Sequence, residues 1–138
     1  MAGLPRGIVL CVDDEPEALN LRKQVLEAHG YKVLLATDAP EALQLFDFEE
    51  IDVVLTDHLL KGQTGTALAA EMKRRKPDVA VAIYSGVSEA PEDIAKADVF
   101  ITKLVTPEEL LAYLEATIAA KTQAQSTKGK LAKRHGAG

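Results

Sequence analysis

The sequence predicts an α/β domain of the (βα)5 kind: a five-stranded parallel sheet with helices on both faces. Two observations carry this. Five short apolar runs recur at 8–12, 32–36, 51–56, 79–84 and 99–102. Three of them are almost unbroken Val, Ile and Leu, as in strands covered on both faces. The segments between them have helical periodicity. Strand and helix thus alternate five times, which implies an open parallel sheet with right-handed crossovers.

Each helix has its own signals. The first, over 15–28, opens with acids and Pro16 and stops before Gly30. Ala18, Leu21, Val25 and Ala28 form its expected apolar stripe, with Arg22 intruding beside it. In the second, Ala39, Ala42, Leu43 and Phe46 recur at i, i+3, i+4 and i+7. In the third, Leu68, Ala69 and Met72 share a face. The basic run 73–76 suits a helix C-terminus, and Pro77 blocks continuation. The fourth, over 88–97, has the weakest pattern, with only Ala90, Ile94 and Ala97 in register. The fifth starts at Thr106-Pro107-Glu108-Glu109, a capping box with proline at the first helical position. Leu110, Leu111, Leu114 and Ile118 supply its stripe.

Composition bounds the function. The chain has 138 residues, 47% hydrophobic and 27% charged, which excludes wholesale disorder and fits one domain. A single cysteine, Cys11, excludes an internal disulfide framework and multi-cysteine metal sites; inside its apolar run it reads as a small buried hydrophobe. The N-terminus lacks a signal-peptide core, and no apolar run is long enough to cross a bilayer. A soluble cytoplasmic protein without membrane contact is expected. Residues 1–6 read as an N-terminal extension and 7–120 as the domain. Residues 121–138 carry five basic residues and no acid, and read as a disordered tail or the start of a linker. The chain nets −5, so its first 120 residues net −10. An acidic body argues against direct nucleic-acid binding by this domain and suits a cation site.

Ligands of open α/β sheets bind beyond the carboxyl ends of the strands. Asp13 and Asp14 follow the first run, Asp57 the third, Ser85 and Gly86 the fourth, and Lys103 the fifth. Singly, each has an ordinary reading: helix caps for Asp13 and Asp14, turns for Asp57 and Ser85-Gly86, a solvated side chain for Lys103. Their joint placement carries the inference. Three converging carboxylates repel one another unless a cation sits among them. An all-oxygen donor set selects Mg²⁺ or a similar hard ion. With Lys103 and Ser85 added, the group suits a phosphoryl moiety, and Asp57 becomes a candidate nucleophile forming an acyl phosphate.

These residues resemble the receiver domain of two-component response regulators over about residues 7–120. The resemblance rests on Val12-Asp13-Asp14-Glu15, on Leu55-Thr56-Asp57 with Gly65 eight residues later, on Ser85-Gly86, and on Lys103. It implies a flavodoxin-like fold. It also implies Mg²⁺-dependent phosphorylation of Asp57 by a sensor histidine kinase or histidine phosphotransfer protein. Mg²⁺ would be held by Asp13, Asp14, Asp57 and the backbone carbonyl of Leu59. Lys103 would pair with the phosphoryl oxygens, and Ser85 would hydrogen-bond them. Phe100 would then turn into the space Ser85 vacates, switching the interaction surface. Such a protein is not an enzyme in the turnover sense, since it catalyses only its own phosphotransfer and dephosphorylation. The downstream effector is not written in the sequence.

Three positions depart from the family pattern. Leu104 and Lys61 stand where prolines are usual, and His58 directly follows Asp57. Strand alternation points His58 away from Asp57. With Leu104 in place of proline, the Lys103–Leu104 bond is expected to be trans. Leu59 and Val87, each two residues after a key side chain, are apolar where the resemblance implies a path for hydrolytic water, so a slow loss of phosphate is expected. A fourth helix poor in apolar residues implies a monomer or weak dimer without phosphate. A haloacid-dehalogenase-type phosphatase would need an acid where Leu59 stands. A flavodoxin-type cofactor site would set phosphate against Asp13 and Asp14. The remaining alternative is a degenerate receiver acting as a phosphorylation-independent interaction module; the complete acidic and lysine set argues against it.

Overall fold

The computed structural model describes residues 4–86 and 90–121. Its strands are β1 (Ile8–Val12), β2 (Lys32–Ala36), β3 (Val53–Thr56), β4 (Ala80–Ser85) and β5 (Val99–Thr102). All neighbours are parallel, in the order β2-β1-β3-β4-β5. The chain order reverses at β1, so β1 and β3 are adjacent and their carboxyl ends open a crevice at the switch point. Val12 stands opposite Thr56, and Ser85 opposite Thr102. The residues that follow these strands are therefore delivered to one edge.

Alternate strand residues feed two cores. Leu10, Val12, Val54, Val81 and Ile83 pack with Phe46, Leu68 and Met72, which come from α2 (Ala39–Phe48) and α3 (Gly65–Arg75). Val9, Cys11, Val53, Leu55 and Ala82 pack with Leu19, Leu26, Leu110 and Leu114, from α1 (Pro16–Ala28) and α4 (residues 107–121). Helices thus cover both faces, and no described helix is long and apolar enough to cross a membrane.

Local chemistry sets the helix starts. Asp38 caps α2 by accepting from Glu41 N–H, and Thr64 caps α3 by accepting from Ala67 N–H. At α4 the expected box forms reciprocally. Glu109 N–H donates to Thr106 Oγ1, and Thr106 N–H donates to Glu109 Oε1, each at 3.1 Å.

The structure corrects two expectations. Among the described residues of the 88–97 segment there is no α-helix, only a 3-10 turn over Ile94–Lys96; residues 88 and 89 lie outside the described residues. Pro91 and sparse apolar spacing give a helix little to bury. Asp93 instead accepts a 2.6 Å hydrogen bond from the Thr66 hydroxyl, tying the turn to α3. The described chain therefore carries four α-helices. In α1, the buried face is Leu19, Arg22 and Leu26, while Leu21 is exposed. The stripe is rotated because Arg22 turns inward to Asp13 at the start of the helix and to Tyr84 of β4.

Candidate functional site

The crevice gathers its side chains from strand ends whose backbones are themselves paired. Asp13 N–H donates to Ala36 O (3.1 Å), Asp57 N–H to Val12 O (2.9 Å) and Lys103 N–H to Ser85 O (2.7 Å). These bonds carry the sheet ladder one residue past each strand and fix where the side chains start.

Asp13, Asp14 and Asp57 each offer a carboxylate oxygen, all within 4.8 Å of one another. Asp13 is 1% exposed. Its Oδ1 accepts from Glu15 N–H at 3.0 Å, so it also serves the entry to α1. Its Oδ2 accepts from Lys103 Nζ at 3.0 Å, and the same ammonium lies 3.5 Å from Asp57 Oδ2. Lys103 therefore bridges two of the three acids. Burial opposes ionisation of Asp13. The hydrogen bonds from Lys103 and Glu15 and the charges of Lys103 and Arg22 outweigh it, and they hold the carboxyl below its ordinary range.

The loop after β3 is shaped around Asp57. Asp57 Oδ1 accepts from His58 N–H at 2.7 Å. His58 meets the acceptor through its backbone; its ring Nδ1 is buried and has no hydrogen-bond partner among the described residues. Leu59–Leu60 then pairs antiparallel with Gln63–Thr64 around Gly62, whose φ of 86° is in the left-handed region that favours glycine. The Leu59 side chain is 63% exposed. Gly65 N–H donates to His58 O at 2.6 Å. A Cβ on Gly65 would collide with the Asp57 carbonyl, so glycine is what allows α3 to start against the acceptor.

The other expected site residues lie on the same edge or near it. Ser85 is buried and ends β4. Phe100 sits in β5 opposite Ile83, half-buried against the α2/α3 core. The Lys103–Leu104 bond is trans, as expected for a non-proline. Lys61 lines a groove of about 500 Å³ with Asp14, Pro16, Thr37, Asp38 and Pro40. Val87 lies outside the described residues. Cys11 is fully buried, and desolvation pushes its thiol up to about 12. It is therefore a packing residue without thiolate character.

Sequence reasoning missed a second cation. Arg22 reaches Asp13 Oδ2 with NH2 at 3.5 Å, and its guanidinium lies over the Tyr84 ring, 4.7 Å from the centroid. The available signal was a charge inside an apolar helical face next to Leu19 and Leu26.

A doubly wound α/β domain with a lysine-bridged acidic centre at its switch point is the class that fold and site define. Residues 9–115 match the response regulator receiver domain, and the chain belongs to that family. It is a receiver domain of the two-component response regulators. The aerobic respiration control protein ArcA of Escherichia coli K12 is 36% identical over 106 residues, covering 74% of this chain and 44% of ArcA. The chain thus spans about half the length of the curated relatives it matches. Among solved structures, a CheY-like receiver domain from Methanospirillum hungatei superposes with a TM-score of 0.80 at 28% identity. The match covers 86% of this chain and 98% of that one. The response regulator TrrA of Thermotoga maritima, in complex with Mg²⁺-BeF, superposes with a TM-score of 0.76 at 27% identity, covering 80% of this chain and 98% of that one.

Proposed function

We propose that this receiver is a working phosphoryl switch with Asp57 as acceptor. The observation that carries it is the three-carboxylate cluster bridged by Lys103. The donor set fits Mg²⁺: hard oxygens only, with one carboxylate oxygen from each of the three acids within 4.8 Å of the others. Asp13, Asp14, Asp57 and the Leu59 carbonyl would hold the ion. When bound, it supplies charge neutralisation for the phosphoryl oxygens. The Mg²⁺-BeF complex of TrrA supports the same assignment by similarity.

The donor is a phosphohistidine on a sensor histidine kinase or a histidine phosphotransfer protein. An Asp57 oxygen attacks phosphorus, the P–N bond breaks, and the imidazole leaves with the electron pair. Lys103 moves from the carboxylates onto the new phosphoryl oxygens, and Ser85 donates to them. Phe100, in β5 beside β4, turns toward the position the Ser85 loop leaves and changes the outer surface of β5 and α4. The domain catalyses only its own phosphorylation and dephosphorylation. Its place of work is the cytoplasm. The downstream effector reads the altered surface.

The test is incubation with a small-molecule phosphodonor and Mg²⁺, followed by intact mass measurement. The parent should gain one phosphoryl mass, and Asp57→Asn or chelation of Mg²⁺ should abolish the gain. An unchanged parent mass, or a label that survives Asp57→Asn, would overturn the reading.

A further inference from the structure

Asp13 has two cations on one oxygen, and they differ in freedom. Lys103 Nζ lies 3.0 Å from Oδ2, shares itself with Asp57 at 3.5 Å, and has a side chain 28% exposed. Arg22 NH2 lies 3.5 Å from the same oxygen, with its side chain only 8% exposed. The Tyr84 ring of β4 lies beneath its guanidinium at 4.7 Å, while Lys103 Nζ is farther from the same ring, at 5.8 Å. Lys103 can leave; Arg22 is fixed.

We infer that Arg22 is a positioning residue for phosphoryl transfer: the resident counter-charge of Asp13, which lets Lys103 depart for the phosphoryl group on Asp57. This rests on the phosphoacceptor reading above. A carboxylate as buried as Asp13 is costly to strand without a partner. Once Lys103 moves onto the phosphoryl oxygens, Mg²⁺ would be shared among Asp13, Asp14 and the phosphorylated Asp57, and without Arg22 no cation would belong to Asp13 alone. Arg22 removes that cost by staying in place. Tyr84 is the second part of the device, because an arginine without the ring beneath it has many rotamers away from Asp13.

Fixed charge has a second effect. Three carboxylates against Lys103 and Arg22 leave the centre with a net charge of about −1; without Arg22 it is about −2. Arg22 therefore weakens Mg²⁺ binding while it aids transfer. A merely structural arginine would not move these two quantities in opposite directions.

The test is calorimetric Mg²⁺ titration of the unphosphorylated protein, paired with the rate of phosphorylation by a small phosphodonor at saturating Mg²⁺. Arg22→Met should bind Mg²⁺ about fivefold or more tightly and accept phosphate about fivefold or more slowly. Arg22→Lys, which keeps the charge, should restore Mg²⁺ affinity to within about twofold of the parent. If Arg22→Met does not fold, Arg22→Gln takes its place under the same two readouts. A folded neutral variant with unchanged or weaker Mg²⁺ binding, or with an unchanged transfer rate, overturns the inference while the phosphoacceptor reading stands. A parent that binds no Mg²⁺ overturns both.

Discussion

At the scale of single residues, Asp13 shows how one carboxylate can serve structure and chemistry together. It closes the start of α1 through Glu15 N–H and anchors Lys103. Its folded-state pKa lies below the unfolded value, so its ionised form adds stability above the unfolded pKa of about 3.9. That contribution is lost as pH falls through the folded value. Stability measured by denaturant titration should therefore fall less steeply below about pH 4 in Asp13→Asn than in the parent. Leu59 is the second residue with a definite expectation. Its apolar side chain stands two residues from the acceptor and can orient no water. Replacing Leu59 with Asn and Val87 with Glu should shorten the lifetime of the phosphorylated form several-fold, followed by loss of the phosphoryl mass after donor removal. Equal lifetimes would show that neither position governs hydrolysis.

At the scale of elements, the junctions are tighter than the helices themselves. Gly65 starts α3 where the Asp57 carbonyl leaves no room for a Cβ. Gly65→Ala should cost about 1–3 kcal/mol, the range of overpacking, and should also displace the acceptor loop. Urea unfolding measures the first effect, and Mg²⁺ affinity the second. The reciprocal box at α4 is a separable contribution. Thr106→Ala removes the cap on Glu109 N–H and should cost about 1 kcal/mol without changing Mg²⁺ affinity, since Thr106 does not touch the carboxylates. The β4-to-β5 connection behaves differently. Among its described residues it holds a 3-10 turn pinned by Asp93 to Thr66, so the end of α3 nearest the acceptor positions it.

For the molecule as a whole, Cys11 reports on cooperativity. It is fully buried in β1 between the α1/α4 core and the sheet, with its thiol pushed up to about 12. Reaction with an aromatic disulfide reagent at neutral pH should be absent in the native state and appear only with global unfolding, because central strands open last. The unphosphorylated protein should sediment as a monomer or weak dimer at micromolar concentration, since the described residues between β4 and β5 carry few apolar side chains and Ile94 and Ala97 already pack against the α2/α3 core.

The sequence by itself determined the architecture and most of the site. Continuous apolar runs can be buried only in a sheet covered on both sides. The polar residue after each run then has nowhere to lie but the carboxyl edge, so Asp13, Asp57, Ser85 and Lys103 were legible from order alone. The capping box of α4 was legible for the same reason, since both of its partners lie within one helical turn. What only the tertiary structure decided depends on contacts distant in sequence. The stripe of α1 rotated because Arg22 found Asp13 across a turn and Tyr84 across the sheet, and local periodicity cannot weigh such partners. Among its described residues, the segment after β4 forms no α-helix because too few apolar side chains are there to repay the ordering of a full helix, while Thr66 offers Asp93 a hydrogen bond from α3. The distances among three like charges, and which cation can leave them, follow from strand register and burial; neither is a property of any one stretch of chain.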